Sequence, residues 1–226
     1  NQYGLKDNIW VRPNPVDEKI FFFRKNINKD PKVIRLLNIN QFIPRKNQIF
    51  LIEVMKFLPK NYQLVLAGPL VNAGNFMNRD KQYLLHINEL IDKFQLRKRV
   101  KIINEFINPQ DYYYLSDFYL MPSINEGLGT TFLESLACGI PVFANKDESV
   151  FSEWIINNYN GKLINLNAKR WSDEILKFPI QNNKQRLDIS ERIVDKVGSK
   201  KFDNKKIKLL KLLKGYKKNK IININA

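Results

Sequence analysis

The chain has 226 residues, 44% of them apolar and 27% charged, which suits a folded domain with a sizeable core and excludes a disordered or fibrous chain. One cysteine and one histidine exclude an internal disulfide, a Cys-rich zinc site and a His–His metal pair, and no apolar run is long enough to span a membrane. The net charge of +16 is lopsided, because residues 196–220 hold eleven Lys and a single acid, Asp203, which leaves the rest of the chain at +6. Basicity is therefore a property of the tail. The composition is that of a soluble chain from a reducing compartment, and the start at Asn1 without Met or a signal-like segment reads as a fragment.

In chain order, residues 1–20 contain Pro13-Asn14-Pro15 and read as a linker. Strand-like runs follow at Val33–Ile39, Gln63–Ala67, Arg99–Ile103, Phe118–Met121, Ile140–Ala144 and Lys162–Ile164. Helical patterns lie between them at 46–58, 80–95, 109–115, 130–138 and 149–158, and residues 169–217 read as helical without strands. In the 80–95 pattern Tyr83, Leu84, Ile87, Leu90, Ile91 and Phe94 form one stripe, with His86 on the opposite, solvated face. Cys138 reads as a small core residue. This alternation predicts an α/β fold over residues 21–200, a Rossmann-like parallel sheet with helices on both faces, followed by a Lys-rich helical tail over 201–226. In such a sheet the ligand crevice lies at the C-terminal ends of the strands, here loops 40–45, 68–79, 104–108, 122–129 and 145–148.

Two of those loops carry chemistry. Residues Pro122–Glu134 place a Gly-containing loop before a helix that stops at Gly139, and backbone N–H groups at such a helix start suit a phosphate. Glu126 and Glu134 bring carboxylates, acceptor-only groups that can take paired hydroxyl donors from a diol. Glu134 stands one turn into the helix from Thr130 and suits a ribose, while Glu126 in the loop suits a second sugar. Read from spacing alone, each is equally compatible with an exposed acid. The second loop, Asn40–Asn47, sets Arg45 and Lys46 against the positive end of a helix dipole, an arrangement that a bound anion would make favourable.

The stretch from Val11 to Gly161 resembles the C-terminal half of a GT-B glycosyltransferase of family 4, the retaining, nucleotide-sugar-dependent type. Glu126 and Glu134 match its E-x7-E motif within EGLGTTFLESLACGIPV. PRKNQ resembles its P-x-K-G segment, LVLAGP its second-strand glycine turn, NGKLI its late N-G-x-L-V, and VRPNPVDEKIF the linker that joins the two halves. The resemblance implies a sugar transferred from a nucleotide-sugar with retention to a glycan, lipid-linked or protein acceptor, without cofactor or metal. It also implies a second, N-terminal domain that this sequence lacks, and a cytoplasmic enzyme, in some members peripheral at a membrane. Lys46 and Glu126 become the catalytic candidates. Gln41, Arg45, Gly68, Glu105, Phe106, Gly127, Leu128, Gly129, Thr130 and Glu134 become the donor-binding ones. Lys46 would meet the diphosphate, residues 127–130 the phosphates and sugar, Glu134 the ribose, and the loop at 104–107 the base.

Two positions depart from the family pattern. Gln41 stands where the family has an Arg five residues before the Lys, so the charge for the distal phosphate is missing unless Arg45 supplies it. Asn47 stands where a Gly is commoner. The rival expectations are a nucleotide-sugar-binding module without turnover, and a basic adaptor acting through the tail. In the tail, Leu209, Leu212, Leu213 and Tyr216 make residues 205–217 amphipathic. The stripe would pack on the absent domain, or residues 205–220 would lie on an anionic membrane. Nucleic acid comes third, because no aromatic stacking pattern accompanies the lysines.

Overall fold

The computed structural model describes residues 14–25, 27–70, 74–127 and 129–200. The tail helix expected over 205–217, most of the linker, and Leu128 lie outside the described residues. Six strands form one sheet: β1 (Ile34–Ile39), β2 (Tyr62–Ala67), β3 (Val100–Ile103), β4 (Phe118–Met121), β5 (Val142–Asn145) and β6 (Gly161–Ile164). The order is β3-β2-β1-β4-β5-β6 and every pair is parallel. The α/β expectation and all six strands hold to within a residue or two. Parallel strands buried on both faces need near-continuous apolar sequence, and Phe118–Met121 and Val142–Asn145 are buried throughout.

The helices are α1 (Gln48–Phe57), α2 (Met77–Lys93), α3 (Pro109–Leu115), α4 (Thr130–Ala137), α5 (Ala168–Lys177) and α6 (Asn183–Val197). One face of the sheet packs against α1, α2 and α5, through Leu51, Ile87, Ile91 and Trp171. Tyr113, Phe132, Leu136 and Ile189, from α3, α4 and α6, cover the other face. The periodic stripe of α2 points inward as expected, with Ile87 and Ile91 fully buried, while His86 is exposed and lies 3.3 Å from Glu89. Cys138 is buried. Gly139 takes a φ of +73° after α4, and a Cβ there would sit 2.3 Å from the Arg186 carbonyl, so the glycine both ends α4 and admits α6.

One helical expectation is corrected. Residues 149–158 form only a 3-10 turn at Ser149–Phe151. Trp154 and Ile155 are then drawn into the core, and Asn160 holds the turn by accepting from the Ile156 amide and donating to the Trp154 carbonyl. Asn158 has a positive φ and Gly161 follows, so a helix cannot continue. Up to residue 200, the 169–217 region is helical without named strands, as expected; it divides into α5 and α6 at Pro179, and a capping box between Asn182 and Gln185 opens α6.

The leading segment is clasped to the end of α6. The Val16 amide donates to the Val197 carbonyl at 2.9 Å, and the Ser199 amide donates back to the Val16 carbonyl at 3.0 Å. The Glu18 carboxylate also accepts from the Ser199 amide and hydroxyl and the Lys200 amide. Among the described residues no helix is long and apolar enough to cross a membrane.

Candidate functional site

The strand order reverses between β1 and β4. Their ladder pairs only Leu36 with Phe118 and Leu37 with Tyr119, after which the strands part. Buried polar side chains bridge the opening: Asn38 donates to the Leu120 carbonyl at 2.7 Å, and the Tyr119 hydroxyl donates to the Ile39 carbonyl at 3.0 Å. The chain leaves β1 toward α1 on one face and β4 toward α4 on the other, so a crevice must open between the two loops. A cleft of about 420 Å³ lies there.

The cleft brings together Gln41, Arg45, Lys46, Gly68, Glu126, Gly129 and Thr130, seven of the residues singled out in the sequence. Gly68 belongs there for a steric reason. Its φ is +139°, and a Cβ would lie 2.3 Å from the Asn40 carbonyl oxygen, so only glycine lets the β2 loop pass against the β1 loop. Gly129 precedes α4, and a side chain there would press on Met121.

Arg45 and Lys46 belong to a 3-10 turn, Pro44–Lys46, and α1 begins only at Gln48. They therefore precede the helix rather than occupying its first turn, and the expected conflict with its dipole is weaker than the spacing suggested. What holds Lys46 is an acid. Its Nζ lies 2.6 Å from Glu126 Oε2, and the two side chains are only 9% and 5% exposed. Arg45, half exposed, reaches to 3.8 Å from Glu126 Oε1. Two further bonds tie the loops: the Ile124 amide donates to the Arg45 carbonyl at 2.8 Å, and Asn47 Nδ2 donates to the Pro122 carbonyl at 3.2 Å. Asn47 has a φ of 53°, a left-handed conformation that Asn tolerates, which explains how it serves in place of glycine.

Glu148 was not singled out in the sequence. Its carboxylate accepts from the Asn125 amide at 2.7 Å and the Glu126 amide at 2.9 Å, and so holds the loop that presents Glu126. Only its place in the 145–148 loop, on the same edge, marked it.

Four other candidates stand outside the lining of the cleft. Glu134 is set back, half-buried, and accepts from the Tyr113 hydroxyl at 3.0 Å. Burial raises its carboxyl above the usual range, against the lowering effect of hydroxyl donors from Tyr113 and Thr130. Gly127 is on the loop with open space around its Cα. Glu105 and Phe106 follow β3 on the same edge, with Phe106 89% exposed. The neighbouring Asn104 Oδ1 accepts from the Leu70 amide and joins the β2 and β3 loops.

An arrangement of two cations, a carboxylate between them and a helix N-terminus opposite can hold a phosphate and a hydroxyl-rich group side by side. Comparison with known proteins gives the family. The family model for glycosyl transferases group 1 matches residues 17–194. An uncharacterized glycosyltransferase of Methanocaldococcus jannaschii is 29% identical over 200 residues, 88% of this chain and 51% of that protein. The structure of Anabaena HepE in complex with UDP and glucose superposes with a TM-score of 0.73 at 16% identity, over 87% of this chain and 55% of that one. The C-terminal domain of a group 1 glycosyl transferase from Francisella tularensis superposes with a TM-score of 0.63 at 23% identity, over 80% of this chain and 97% of that one. The chain spans about half or less of the length of the first curated relatives it matches. With its sheet order, its crevice at the switch point and this match, the chain belongs to the group 1 glycosyl transferases and has the GT-B type of Rossmann-like domain.

Proposed function

We propose that this chain is the C-terminal, donor-binding half of a retaining family 4 glycosyltransferase that moves a sugar from a nucleoside-diphosphate sugar to a glycan, lipid-linked or protein acceptor in the cytoplasm. The observation that carries it is the buried Lys46–Glu126 pair in the cleft between β1 and β4, facing the start of α4. In this reading Lys46 and Arg45 take the diphosphate and the α4 N-terminus adds partial positive charge, so the departing nucleotide is stabilised by fixed protein charges without a metal. Arg45 supplies the second cation that Gln41 does not. Glu126 meets the donor sugar and Glu134 the ribose hydroxyls. The loop holding Glu105 and Phe106 flanks the base, and the amides of residues 127–130 hold the phosphates. Support comes from the family match, from the UDP and glucose bound by the Anabaena protein, and from the near-complete coverage of an isolated C-terminal domain.

The test is calorimetry with UDP, GDP and ADP on wild type, Lys46→Ala, Arg45→Ala, Gln41→Arg and Glu134→Ala. One nucleoside diphosphate should bind, and Lys46→Ala and Glu134→Ala should each weaken it about tenfold or more, the worth of a charge-assisted hydrogen bond. Arg45→Ala should weaken the diphosphate more than the monophosphate, and Gln41→Arg, meeting Arg45, should leave affinity flat. Unchanged affinity in both Lys46→Ala and Glu134→Ala removes the assignment. Thermal melts accompany the titrations, because Lys46→Ala leaves the buried Glu126 carboxylate with only the half-exposed Arg45 beside it, at a cost of up to about 3–5 kcal/mol.

A further inference from the structure

A second cavity, about 350 Å³, opens at the opposite edge of the sheet from the cleft. It is lined by Arg24, Lys29, Gln181, Asn182, Asn183 and Arg186 among others, with three cations and no acid among the described residues of its wall. Its position follows from its neighbours. Lys29 pairs with Asp117, the residue that precedes β4, and the Arg186 backbone lies against Gly139, which precedes β5. Both landmarks sit at the N-terminal ends of strands, whereas the cleft sits at the C-terminal ends.

Arg186 is the unusual member. It is only 8% exposed, and its Nε–H is buried without an acceptor among the described residues. An arginine in that state is expensive: burial draws its pKa down, and the charge of Asp117, the nearest compensation, is already engaged by Lys29 and the Arg35 amide. Arg24 comes from the other side, with its guanidinium 4.1 Å above the Tyr114 ring, a stack that fixes its position. The cavity also meets the start of α6, whose dipole adds a positive end.

A cation-lined cavity elsewhere shows what self-contained cations look like. Around Lys56, Lys60, Lys98 and Arg99, the Arg99 guanidinium donates to the carbonyls of Leu58, Pro59 and Tyr62, and Lys56 lies over the Phe94 ring. Arg99 and Lys56 there have partners within the chain, whereas Arg186 has no acceptor among the described residues for a buried donor.

We infer that the cavity of Arg24, Lys29 and Arg186 is a phosphate-binding site separate from the donor cleft. A phosphate offers several acceptors to planar guanidinium groups and would balance three cations that face one acid. The same chemistry could come from a free phosphate or from a lipid phosphate.

Arginine-selective NMR spectra of the Nε–H groups in the 226-residue chain decide this. Titration with inorganic phosphate should shift the Arg186 and Arg24 signals together and saturably, independently of Arg45, which reports on the cleft. Arg24→Glu should weaken that response about tenfold or more, and Arg24→Gln by roughly three- to tenfold. Both change an exposed side chain, so they remain informative even if Arg186→Lys fails to fold. Vesicles of phosphatidylcholine with phosphatidic acid form the second arm. Arg24-dependent binding to vesicles alone assigns a lipid phosphate, and an Arg24-dependent response to inorganic phosphate assigns a free one. No saturable shift in either arm, or shifts that Arg24→Glu leaves unchanged, would overturn the site.

Discussion

In the proposed reading, Glu134 serves binding at the expense of stability. Its carboxyl pKa in the folded chain is raised above 4.5, first by burial, with Tyr113 and Thr130 donors opposing. The folded state therefore holds the proton more tightly than the unfolded one. The stability that this gives is present below about pH 4.5 and is lost as pH rises through the raised value. Glu134→Gln, which keeps an acceptor for Tyr113, should melt higher than wild type at pH 7 and no higher at pH 4. The same variant should bind the nucleoside diphosphate less well. Melts from pH 4 to 8 beside calorimetry check both, and equal melting curves across that range would refute the first. At this scale legibility was uneven. The spacing of Glu126 and Glu134 and the placement of Lys46 could be read along the chain, because each belongs to a local motif. The ion pair between Lys46 and Glu126 could not, since 80 residues separate them and only strand order makes them neighbours. Glu148 and Arg186 carried no local mark, as their roles depend on what other segments bring to them.

Strands were the most readable elements, because a strand buried on both faces has little freedom in composition. The 149–158 helix failed because anchoring by Trp154 and Ile155, with the Asn160 amide stitching the turn, overrode the local apolar pattern. The clasp between residues 16–18 and the end of α6 was equally invisible. Its acid is Glu18, which burial would raise but which the Ser199 hydroxyl, its own backbone N–H and the amides of Lys200 and Ser199 bring down to about 2. Here the sign is the reverse of Glu134. The contribution is complete above the ordinary value of 4.5 and disappears as pH falls toward 2. Glu18→Gln should flatten the stability profile across that acid window and lower Tm at neutral pH by about 2–4 °C at most, since the group is partly exposed and screened. Hydrogen exchange at the Ser199 and Lys200 amides would locate the effect, and unaltered protection there would count against the clasp.

For the molecule as a whole, the alternation of strands and helices was enough to place the crevice at one sheet edge, because a right-handed crossover leaves few alternatives. The comparisons then identify the family, while acceptor, base and sugar depend on residues that no general rule of topology picks out. In the proposed reading, the acceptor site and the wall that excludes water belong to a further domain, so the 226-residue chain should bind a nucleotide-sugar yet transfer no sugar. Incubation with nucleotide-sugars and candidate acceptors, followed by mass spectrometry, tests this, and efficient transfer by the chain alone would show the reading to be wrong.

The clasp also has a mechanical consequence. Val16 on the way into the fold and Val197–Ser199 on the way out are bonded side by side, and Asn14, two residues earlier, forms part of the cleft wall. Tension between the flanking segments therefore falls first on those few backbone bonds, not on the six-stranded sheet. Torque on the leading segment, by contrast, acts directly on the rim of the cleft through Asn14. The domain is built so that load passes around its core while movement of the leading segment reaches the cleft.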